Sequence, residues 1–347
     1  NSNGVTCMCP AASVGDTGVV NGITYTKRTR QQITTGNAST TCTSGITDMS
    51  SLFNQVIFNE DISSWDVSNV TNMNQMFAES YAFNQPIGYW DVSSVTNMNG
   101  LFFLNTAFNQ PINDWNVSSV TDMGGMFIES GFNQPLDAWD VSNVTSMFTM
   151  FSSALAFNQS LDTWDVSNVG NMLAMFTNTP FNQDISSWNV GNVVNMQDMF
   201  TGSSFNQPLD NWDVSNVINM SAMFSNTTFN QPIENWDVSS VLDMEGMFSN
   251  TSFNQSINDW NVSSVINMYN MFNGNSSFNQ DISTWTFNSA VDLVGMLNST
   301  MMSVENYDLL LSSMYDQPLV NKEFGDFSLS YCNVTDHDAL INDKGWT

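Results

Sequence analysis

Each of ten tandem repeats in this chain places a polar side chain directly after a tryptophan. Where that residue is Asp, carboxylates stacked about 5 Å apart repel one another unless a cation such as calcium lies between them. The alternative is local capping, in which the Asp or Asn oxygen accepts a hydrogen bond from the following turn. Capping is favoured because Asn replaces Asp in several repeats and no Asp-x-Asp-x-Asp-Gly calcium loop occurs. The weak calcium candidates are Asp66, Asp91, Asp140, Asp165, Asp213 and Asp237, and the column also holds Asn116, Asn189, Asn261 and Thr286.

Two other kinds of residue could do chemistry, and for each a structural role is favoured. The Met-x-x-Met pairs, such as Met73 and Met76, carry thioethers that bind soft copper ions, but their helical spacing with Val and Phe indicates core packing. His337, the single histidine, stands between two aspartates and is expected to be solvated. No nucleophile elbow, phosphate-binding loop or Cys/His zinc cluster accompanies it. Paired carboxylates could cleave glycosides, but no single repeat gains its own acid-base pair. We therefore expect no enzymatic activity and no cofactor, with calcium as the candidate bound ion.

The four cysteines lie outside the repeats, because Cys7, Cys9 and Cys42 precede them and Cys332 follows them. A bridge from Cys7 or Cys9 to Cys42 would leave one thiol at each end of the chain. Ten coils at about 4.8 Å would separate those ends by roughly 50 Å, too far for a disulfide within one straight molecule. We hypothesise that the leading thiol meets Cys332 of another copy and forms a head-to-tail filament. The alternative is two unpaired thiols, or a partner outside this sequence.

Charge follows the same division of the chain. The formal net charge is −28, and no Lys or Arg lies between Arg30 and Lys322. Such a surface repels phosphate backbones and anionic membranes, which argues against nucleic-acid binding and membrane insertion. The leading segment is basic at Lys27, Arg28 and Arg30, so opposite ends of two copies would attract. The acidic residues of the trailing segment that would attract this basic end are Glu323, Asp326, Asp336, Asp338 and Asp343.

Sequence motifs for N-linked glycosylation, Asn-x-Ser/Thr, are abundant and agree with export. No apolar stretch is long enough to cross a membrane, and Asn1 is expected to follow a removed secretory peptide unless the chain is a fragment. We predict an extracellular or cell-surface location. The leading candidates, in the variable outer loops, are Asn226, Asn250 and Asn275; those in or near the caps are Asn37, Asn298 and Asn333; those after the predicted strand are Asn69, Asn116, Asn143 and Asn261.

The elements that must position these side chains recur every 24 or 25 residues, the interval between repeat tryptophans. A fixed short period predicts a solenoid, since one unit is too small to bury its apolar face alone. Ile62, Trp65 and Val67 have the spacing of a strand, and the apolar positions of segment 70–77 have that of a short helix. We therefore predict an α/β repeat fold, a leucine-rich-repeat-like right-handed solenoid with one parallel β-sheet face and one short-helix face, capped at both ends.

Three segments are predicted: a leading cap at 1–48, the tandem repeats at 49–300 and a trailing cap at 301–347. In the leading cap, Asn21-Gly22 between alternating β-formers predicts a hairpin. In the trailing cap, segment 307–315 has helical spacing. The extra residue of the longer repeats always lies after the Met-Phe pair, which indicates an outer loop. The Asn of each Phe-Asn-Gln is expected to form a ladder that satisfies backbone groups at a buried bend.

These motifs resemble the tandem repeats of BspA-like leucine-rich-repeat surface proteins. Segment 181–190, Phe-Asn-Gln-Asp-Ile-Ser-Ser-Trp-Asn-Val, followed by Met196 and the pair Met199-Phe200, carries the resemblance, which extends over about 49–300. The ends depart from the pattern, as the margins of a capped array do. The resemblance implies a secreted or surface-displayed protein with adhesive, matrix or structural roles.

The sequence therefore favours an extracellular structural or adhesive protein, glycosylated and assembled head-to-tail into a surface fibre. The alternative is a monomeric surface receptor or adhesin that binds glycans or divalent cations through its Asp/Asn column. Its ligand would then be a host or matrix surface.

Overall fold

The structure is a computed structural model that describes residues 4–325 and 329–347. The chain divides into two compact units, Asn1–Asn168 and Val169–Thr347. Within each unit, successive repeats stack as coils of a repetitive, solenoid-like fold. The three predicted segments follow sequence composition and stay a prediction. Asp326, one of the trailing acids, and Asn1 lie outside the described residues.

Stacked aromatic rings form the core of both units. In the first unit Phe77 lies 5.8 Å from Phe102 of the next coil and 3.9 Å from Phe83, measured between ring centroids. In the second unit Phe200 and Phe224 are 5.7 Å apart. These rings are completely buried, so each coil contributes apolar area only because a neighbour covers it.

Repeat tryptophans also tie their coils to the preceding ones. The indole Nε1 of Trp115 donates to the carbonyl oxygen of Ile87 at 3.0 Å, and Trp212 donates to Ile185 at 3.1 Å. A buried indole needs such an acceptor, because an unpaired polar group in the core is costly. The same column therefore supplies both packing and a hydrogen bond.

The helix predicted at segment 70–77 and the strand predicted at segment 62–67 are both wrong. The type of structure differs, and so does the segment that pairs between coils. Segment 70–77 is a series of turns whose backbone N–H groups donate either to the next coil or within their own coil. The N–H of Met73 donates to the carbonyl oxygen of Asn97 in the next coil at 2.9 Å, and the N–H of Met76 donates to the carbonyl oxygen of Met73 at 3.1 Å. Isolated parallel bridges, such as Asn72 with Asn97, lie here. Segment 62–67, predicted as the strand, instead contains a turn closed by Trp65 N–H and the Ile62 carbonyl at 3.0 Å. Helices pack about 8–10 Å apart, whereas hydrogen-bonded coils lie about 4.8 Å apart, so stacked helices do not fit this direct backbone pairing.

The predicted asparagine ladder is confirmed, although its members are not fully buried. The backbone N–H of Asn109 donates to Oδ1 of Asn84 at 3.0 Å, and Gln110 Nε2 donates to the same oxygen and to the Asn84 carbonyl. The equivalent bonds join Asn206 to Asn230 in the second unit. Asn84 is half-buried and Asn109 is exposed. The ladder therefore lies at the surface and satisfies backbone groups that no helix or strand would pair.

The difference between 24- and 25-residue repeats is absorbed after the Met-Phe pair, as predicted. In a shorter repeat the N–H of Phe181 donates to the side-chain oxygen of Thr179 at 3.4 Å. In a longer one the N–H of Phe157 donates to the backbone carbonyl of Ala154 at 3.0 Å. The extra residue is thus accommodated by one more backbone turn, and the core columns keep their register.

The leading cap contains the predicted hairpin. Strand β1 (Thr17–Val20) pairs antiparallel with β2 (Ile23–Lys27), which pairs parallel with β3 (Thr41–Cys42). Asn21 and Gly22 have φ of 51° and 80°, the backbone that a two-residue hairpin turn requires. Two short 3-10 helices, Arg30–Gln32 and Ala38–Thr40, lie between β2 and β3. The cap contacts the first coil where Trp65 Nε1 donates to the Ala38 carbonyl at 2.9 Å.

The trailing cap contains the predicted helix, α1 (Val304–Asp316), and a second helix, α2 (Val334–Asn342), that was not predicted. The start of α1 continues the asparagine ladder: Ser303 N–H donates to Asn279 Oδ1 at 2.7 Å, and Asn306 Nδ2 donates to the Asn279 carbonyl at 3.1 Å. Trp346 is buried and repeats the tryptophan bond by donating to the Leu319 carbonyl at 3.1 Å. The cap thus presents to the last coil the donors that another coil would present.

Candidate functional site

The Asp/Asn column after the tryptophans makes the hydrogen bonds of the capping interpretation. Oδ1 of Asp213 accepts from the N–H of Ser215 at 3.1 Å and from its hydroxyl at 2.6 Å. Asn116 accepts from Ser118 in the same way, at 3.2 and 2.7 Å. Asn can replace Asp because the turn needs only an acceptor oxygen, which an amide or a carboxylate can supply. The column is exposed except at Asp66, which is buried at 5% exposure under the leading cap.

These hydrogen bonds also lower the pKa of three column members. Hydrogen bonds from the Ser hydroxyl and backbone hold the pKa of Asp165, Asp213 and Asp237 below the usual value for Asp. For Asp213 the neighbouring charge of Asp237 acts in the opposite direction as a smaller cause. Asp165, Asp213 and Asp237 are therefore ionised at neutral pH. No group of three or more His, Cys, Asp or Glu suited to a metal ion occurs among the described residues, and calcium binding stays a prediction.

A second column of the same kind was missed by sequence reasoning. Where coils form parallel bridges, Asn97 Oδ1 accepts from the N–H of Asn99 at 2.9 Å, and Asp243 Oδ1 accepts from Glu245 at 2.9 Å. The signal was present, since nearly every repeat has Asn or Asp directly before the first Met of its Met-x-x-Met-Phe motif. Both columns thus use side-chain oxygens to close turns.

The predicted glycosylation sites fall into three groups by exposure. Half-buried Asn333 is the N-cap of α2, and its Nδ2 donates to Ser312 and Asp336, so a glycan there would replace two hydrogen bonds. Half-buried Asn37 donates to the Gln32 carbonyl. Modification is not tested at any site and stays a prediction. The exposed sites are Asn69, Asn116, Asn143, Asn226, Asn250 and Asn261, and the half-buried sites are Asn37, Asn298 and Asn333.

The accessibility predicted for Asn275 is wrong. Its exposure is 0%, and its Nδ2 donates to Thr251 Oγ1 at 3.1 Å and to the Phe253 carbonyl at 2.9 Å. Sequence reasoning placed it in an outer loop because it follows the Met-Phe pair. The structure turns this position inward, where Thr179 and Ser203 also point in other coils. A glycan at Asn275 would be incompatible with the folded coil.

Cys9 and Cys42 form a disulfide, which selects one of the two predicted pairings. Cys7 is free and buried at 7% exposure, packed with Tyr25 and Cys42, and burial raises the pKa of its thiol. Cys332 is free and exposed. The proposed bridge between the leading thiol and Cys332 is not tested, but it would require Cys7 to become accessible.

The methionines and His337, the remaining candidates for chemistry, are packed against other side chains. Met73 and Met76 are completely buried in the core. The ring of His337 stacks on Tyr331 with centroids 3.9 Å apart and lines an apolar cavity of about 160 Å³ with Trp346 and Leu340. His337 was predicted to be solvated, but its ring is packed instead.

An exposed aliphatic column in the second unit was also missed. Val194, Ile218, Leu242 and Ile266 occupy equivalent positions in successive coils and are 42–49% exposed. We call these four residues the aliphatic column. The equivalent positions of the first unit are threonines whose hydroxyls donate to the preceding coil, as Thr145 does to the Thr121 carbonyl at 3.2 Å. The backbone is the same in both cases, since Leu242 N–H donates to the Ile218 carbonyl at 2.9 Å.

Stacked aromatic rings, side-chain ladders and capped ends together define a tandem-repeat protein with a solenoid-like fold. The chain belongs to the family described as Mycoplasma protein of unknown function, DUF285, which matches residues 24–131, 129–229, 161–252 and 220–309. No curated protein sequence matches the chain.

Among solved structures, the chain has a weak similarity to the leucine-rich-repeat ectodomain of the plant membrane receptor kinase GASSHO1/SCHENGEN3 from Arabidopsis thaliana, in complex with CASPARIAN STRIP INTEGRITY FACTOR 2. The sequences are 10% identical, the TM-score is 0.20, and the match covers 82% of this chain. This chain spans 43% of that ectodomain. Among the described residues, no helix combines the length and apolar character needed to cross a membrane.

Proposed function

We propose that this chain is an extracellular structural or adhesive repeat protein that contacts its partner through the aliphatic column. The observation that carries the proposal is the contrast between the columns: four aliphatic side chains are kept 42–49% exposed where the first unit has hydrogen-bonded threonines. Exposed apolar residues at equivalent positions of successive coils favour an interaction face. The likeness of the repeats to BspA-like surface proteins supports the same role.

The partner proposed for the aliphatic column is a polypeptide that presents apolar side chains flanked by basic ones. Asp243 follows Leu242 directly, and Glu245 lies in the same coil. No Lys or Arg occurs between Arg30 and Lys322 to balance these charges. Apolar contact would then supply affinity, and the surrounding carboxylates would select for a basic partner and repel acidic ones.

A binding experiment tests this face. An immobilised peptide of alternating Leu and Lys is compared with one of alternating Ser and Lys, using the full chain in surface plasmon resonance. We expect the Leu peptide to bind at least about tenfold more tightly. Changing the column to Val194→Thr, Ile218→Thr, Leu242→Thr and Ile266→Thr should remove that preference. Equal binding of the two peptides, or no effect of the four substitutions, would contradict the proposal.

A matched control uses the first unit. The substitutions Thr71→Val, Thr96→Ile, Thr121→Leu and Thr145→Ile build an equivalent column there and should increase binding capacity for the Leu peptide. The location is tested separately by adding proteinase K to intact source cells. Loss of the protein without loss of a cytosolic marker is expected for a surface protein, and full protection would contradict it.

The finer form of the proposal is a head-to-tail fibre. Exposed Cys332 and the basic leading cap support it, whereas burial of Cys7 requires that cap to open before a direct bridge forms. Non-reducing electrophoresis of native material with peptide mapping should show a ladder in which Cys332 is joined to a leading-cap cysteine. Symmetric Cys332 dimers, or monomers alone, would exclude the covalent fibre. A Cys332→Ser variant is the control.

A second candidate is a receptor that binds divalent cations through the Asp/Asn column. Exposed carboxylates at equivalent positions of successive coils, as at Asp213 and Asp237, motivate it, because carboxylate oxygens are ligands that calcium prefers. Calorimetric titration with calcium chloride should show saturable binding that Asp213→Asn and Asp237→Asn weaken together. Binding that is absent, or that the two substitutions leave unchanged, would remove this candidate.

A further inference from the structure

A cleft in the leading cap collects three of the five basic residues of the chain. Lys27, Arg28 and Arg30 line a cavity of about 400 Å³ together with main-chain and polar groups of segment 44–48. We call this the leading-cap cleft. All three side chains are half-buried. The chain has a net charge of −28, so this concentration of positive charge differs from the rest of its surface.

The three cations are held by neutral acceptors instead of carboxylates. Lys27 Nζ donates to the Cys9 carbonyl at 3.0 Å, and Arg28 Nη1 donates to the Thr40 carbonyl at 3.0 Å. Arg30 Nη2 donates to the Ser50 carbonyl. Across residues 4–325 and 329–347, the ion pair within 4.0 Å joins His337 to Asp338 and involves none of the three. Their positive charge therefore stays available to a ligand.

Arg30 also keeps an unused donor. Its Nε is buried and has no hydrogen-bond partner. A guanidinium presents five N–H donors in a planar fork that matches a carboxylate, and an unpaired buried donor is costly. The Arg30 guanidinium therefore retains a donor that no acceptor of the protein uses.

One carboxylate in the lining opposes these cations only in part. Asp48 Oδ1 accepts from the N–H of Ser50 at 2.8 Å. This bond is the largest cause of the lowered pKa of Asp48, and the charge of Arg30 is a smaller one. Among the residues that line the cleft, three are cationic and one is anionic, although the carboxylate of Asp66 lies behind it, bonded to Ser44.

A disulfide and backbone hydrogen bonds connect the walls of the cleft. The disulfide Cys9–Cys42 fixes Cys9, whose carbonyl oxygen accepts the hydrogen bond from Lys27 Nζ. Lys27 also lies opposite Cys42 where β2 pairs with β3. Arg28 N–H donates to the Cys42 carbonyl at 3.4 Å. Side chains ordered in advance lose less entropy on binding.

We propose that the leading-cap cleft binds carboxylate groups of an acidic polypeptide segment. Two guanidinium groups and an ammonium provide the charge and the planar donors that carboxylates accept. The trailing segment of a second copy is one source, since Glu323, Asp338 and Asp343 are exposed there. Another acidic protein is the other source. This site is independent of the aliphatic column.

The test uses the full chain and a fluorescent hexa-aspartate peptide in an anisotropy titration at low and moderate salt. Arg28→Gln with Arg30→Gln should weaken binding at least about tenfold. Lys322→Gln with Lys344→Gln removes the same charge elsewhere and should change it by less than about twofold. No binding, or equal losses in the two double variants, would overturn the proposal.

Further arms separate specific recognition from misfolding and identify the source. Arg28→Lys with Arg30→Lys keeps the charge but not the fork, so we expect an intermediate loss, with the Cys9–Cys42 bridge verified by peptide mapping. Sulfate competing as strongly as the peptide at equal charge would overturn the carboxylate assignment. In a Cys332→Ser background, which removes the exposed free thiol and keeps the Cys9–Cys42 bridge, sedimentation that shows concentration-dependent association, lost in the Gln variant, assigns the source to a second copy. Monomers that still bind the peptide assign another acidic polypeptide. The aliphatic-column variant should bind the peptide normally, so the two proposals fail separately.

Discussion

The two units have the same left-handed backbone position two residues after each Met-Phe pair, but they fill it differently. In the first unit the occupants include Glu79 and Leu104, with φ of 54° and 56°. In the second unit they include Asn178 and Gly202, with φ of 54° and 66°. Asn and Gly tolerate this conformation, whereas for other residues it costs about 1–2 kcal/mol.

The reason for the shared conformation is the bond that this position makes. Leu104 N–H donates to the Ile128 carbonyl at 2.7 Å, and Gly202 N–H donates to the Ser225 carbonyl at 2.8 Å. Pairing between coils therefore imposes the backbone, and the side chain only changes its cost. The first unit makes the same hydrogen bonds between coils with residues for which the left-handed conformation is more costly.

The largest expected effect concerns what the units share. Trp139→Ala and Trp212→Ala should each destabilise the coils around them by about 3–5 kcal/mol, because each removes a buried ring and leaves a carbonyl without its indole donor. Hydrogen exchange measured by mass spectrometry on each coil checks this locally. Markedly unequal losses would show that the two cores are not equivalent.

The next effect separates two buried asparagines at equivalent positions. Asn275→Ser should cost about 1–3 kcal/mol, because Asn275 donates two hydrogen bonds to the previous coil. Asn105 Oδ1 accepts from the N–H groups of Ala107 and Phe108, but its Nδ2 is buried without a partner, so Asn105→Ser should cost less than Asn275→Ser. Ser80 already occupies this position in another coil. Urea unfolding of both variants decides, and equal losses would contradict the distinction.

A swap at the left-handed position sharpens the opening comparison. Leu104→Gly should stabilise the first unit by about 1 kcal/mol. Gly202→Leu should destabilise the second by about 1–2 kcal/mol, since a Cβ there would also lie 2.3 Å from Asn178 Oδ1. Gly202→Asn is a control for backbone tolerance with a smaller side chain. Local hydrogen exchange measures all three, and a stabilising Gly202→Leu would refute the interpretation.

The smallest expected effect is on pH dependence. Hydrogen bonds from Ser lower the pKa of Asp165 in the first unit and of Asp213 and Asp237 in the second. Their contribution is complete above the pKa of unfolded Asp and is lost as pH falls through the lower folded value. Urea midpoints should therefore agree at pH 7 and 5 for these groups and fall near pH 3. Each exposed group should contribute less than about 1 kcal/mol.

Asparagine variants isolate that contribution. Asp165→Asn, Asp213→Asn and Asp237→Asn keep the acceptor oxygen, as Asn116 and Asn261 do naturally. The triple variant should lose less stability between pH 5 and 3 than the parent chain. An identical acid response would show that these carboxylates do not carry it.

Much of the fold could be predicted from local patterns, and the exceptions share one cause. The hairpin at Asn21-Gly22 and helix α1 were predicted because turn chemistry and helical spacing act within a few residues. The helical spacing of Met73 and Met76 misled the prediction, because consecutive turns also direct such positions inward. Helix α2 was missed because its apolar signal is short and only Leu340 of it is buried.

The candidate sites were predictable to a smaller extent. The Asp/Asn column and the cysteines were found from residue type and spacing. The inward turn of Asn275, the burial of Cys7 and the convergence of Arg28 and Arg30 depend on how distant segments pack. The leading-cap cleft could not be placed because its walls come from parts of the cap far apart in sequence.

The sequence alone determined that similar repeats stack and which side chains stack with their equivalents, because a repeated pattern of apolar residues must be buried in a repeated way. Tertiary structure decided which segment carries the coil-to-coil hydrogen bonds, as between Met73 and Asn97, and which polar side chains lie inside. Those choices depend on the spacing between neighbouring coils, which sets the backbone conformation each coil can adopt and is a property of packed coils rather than of any one repeat.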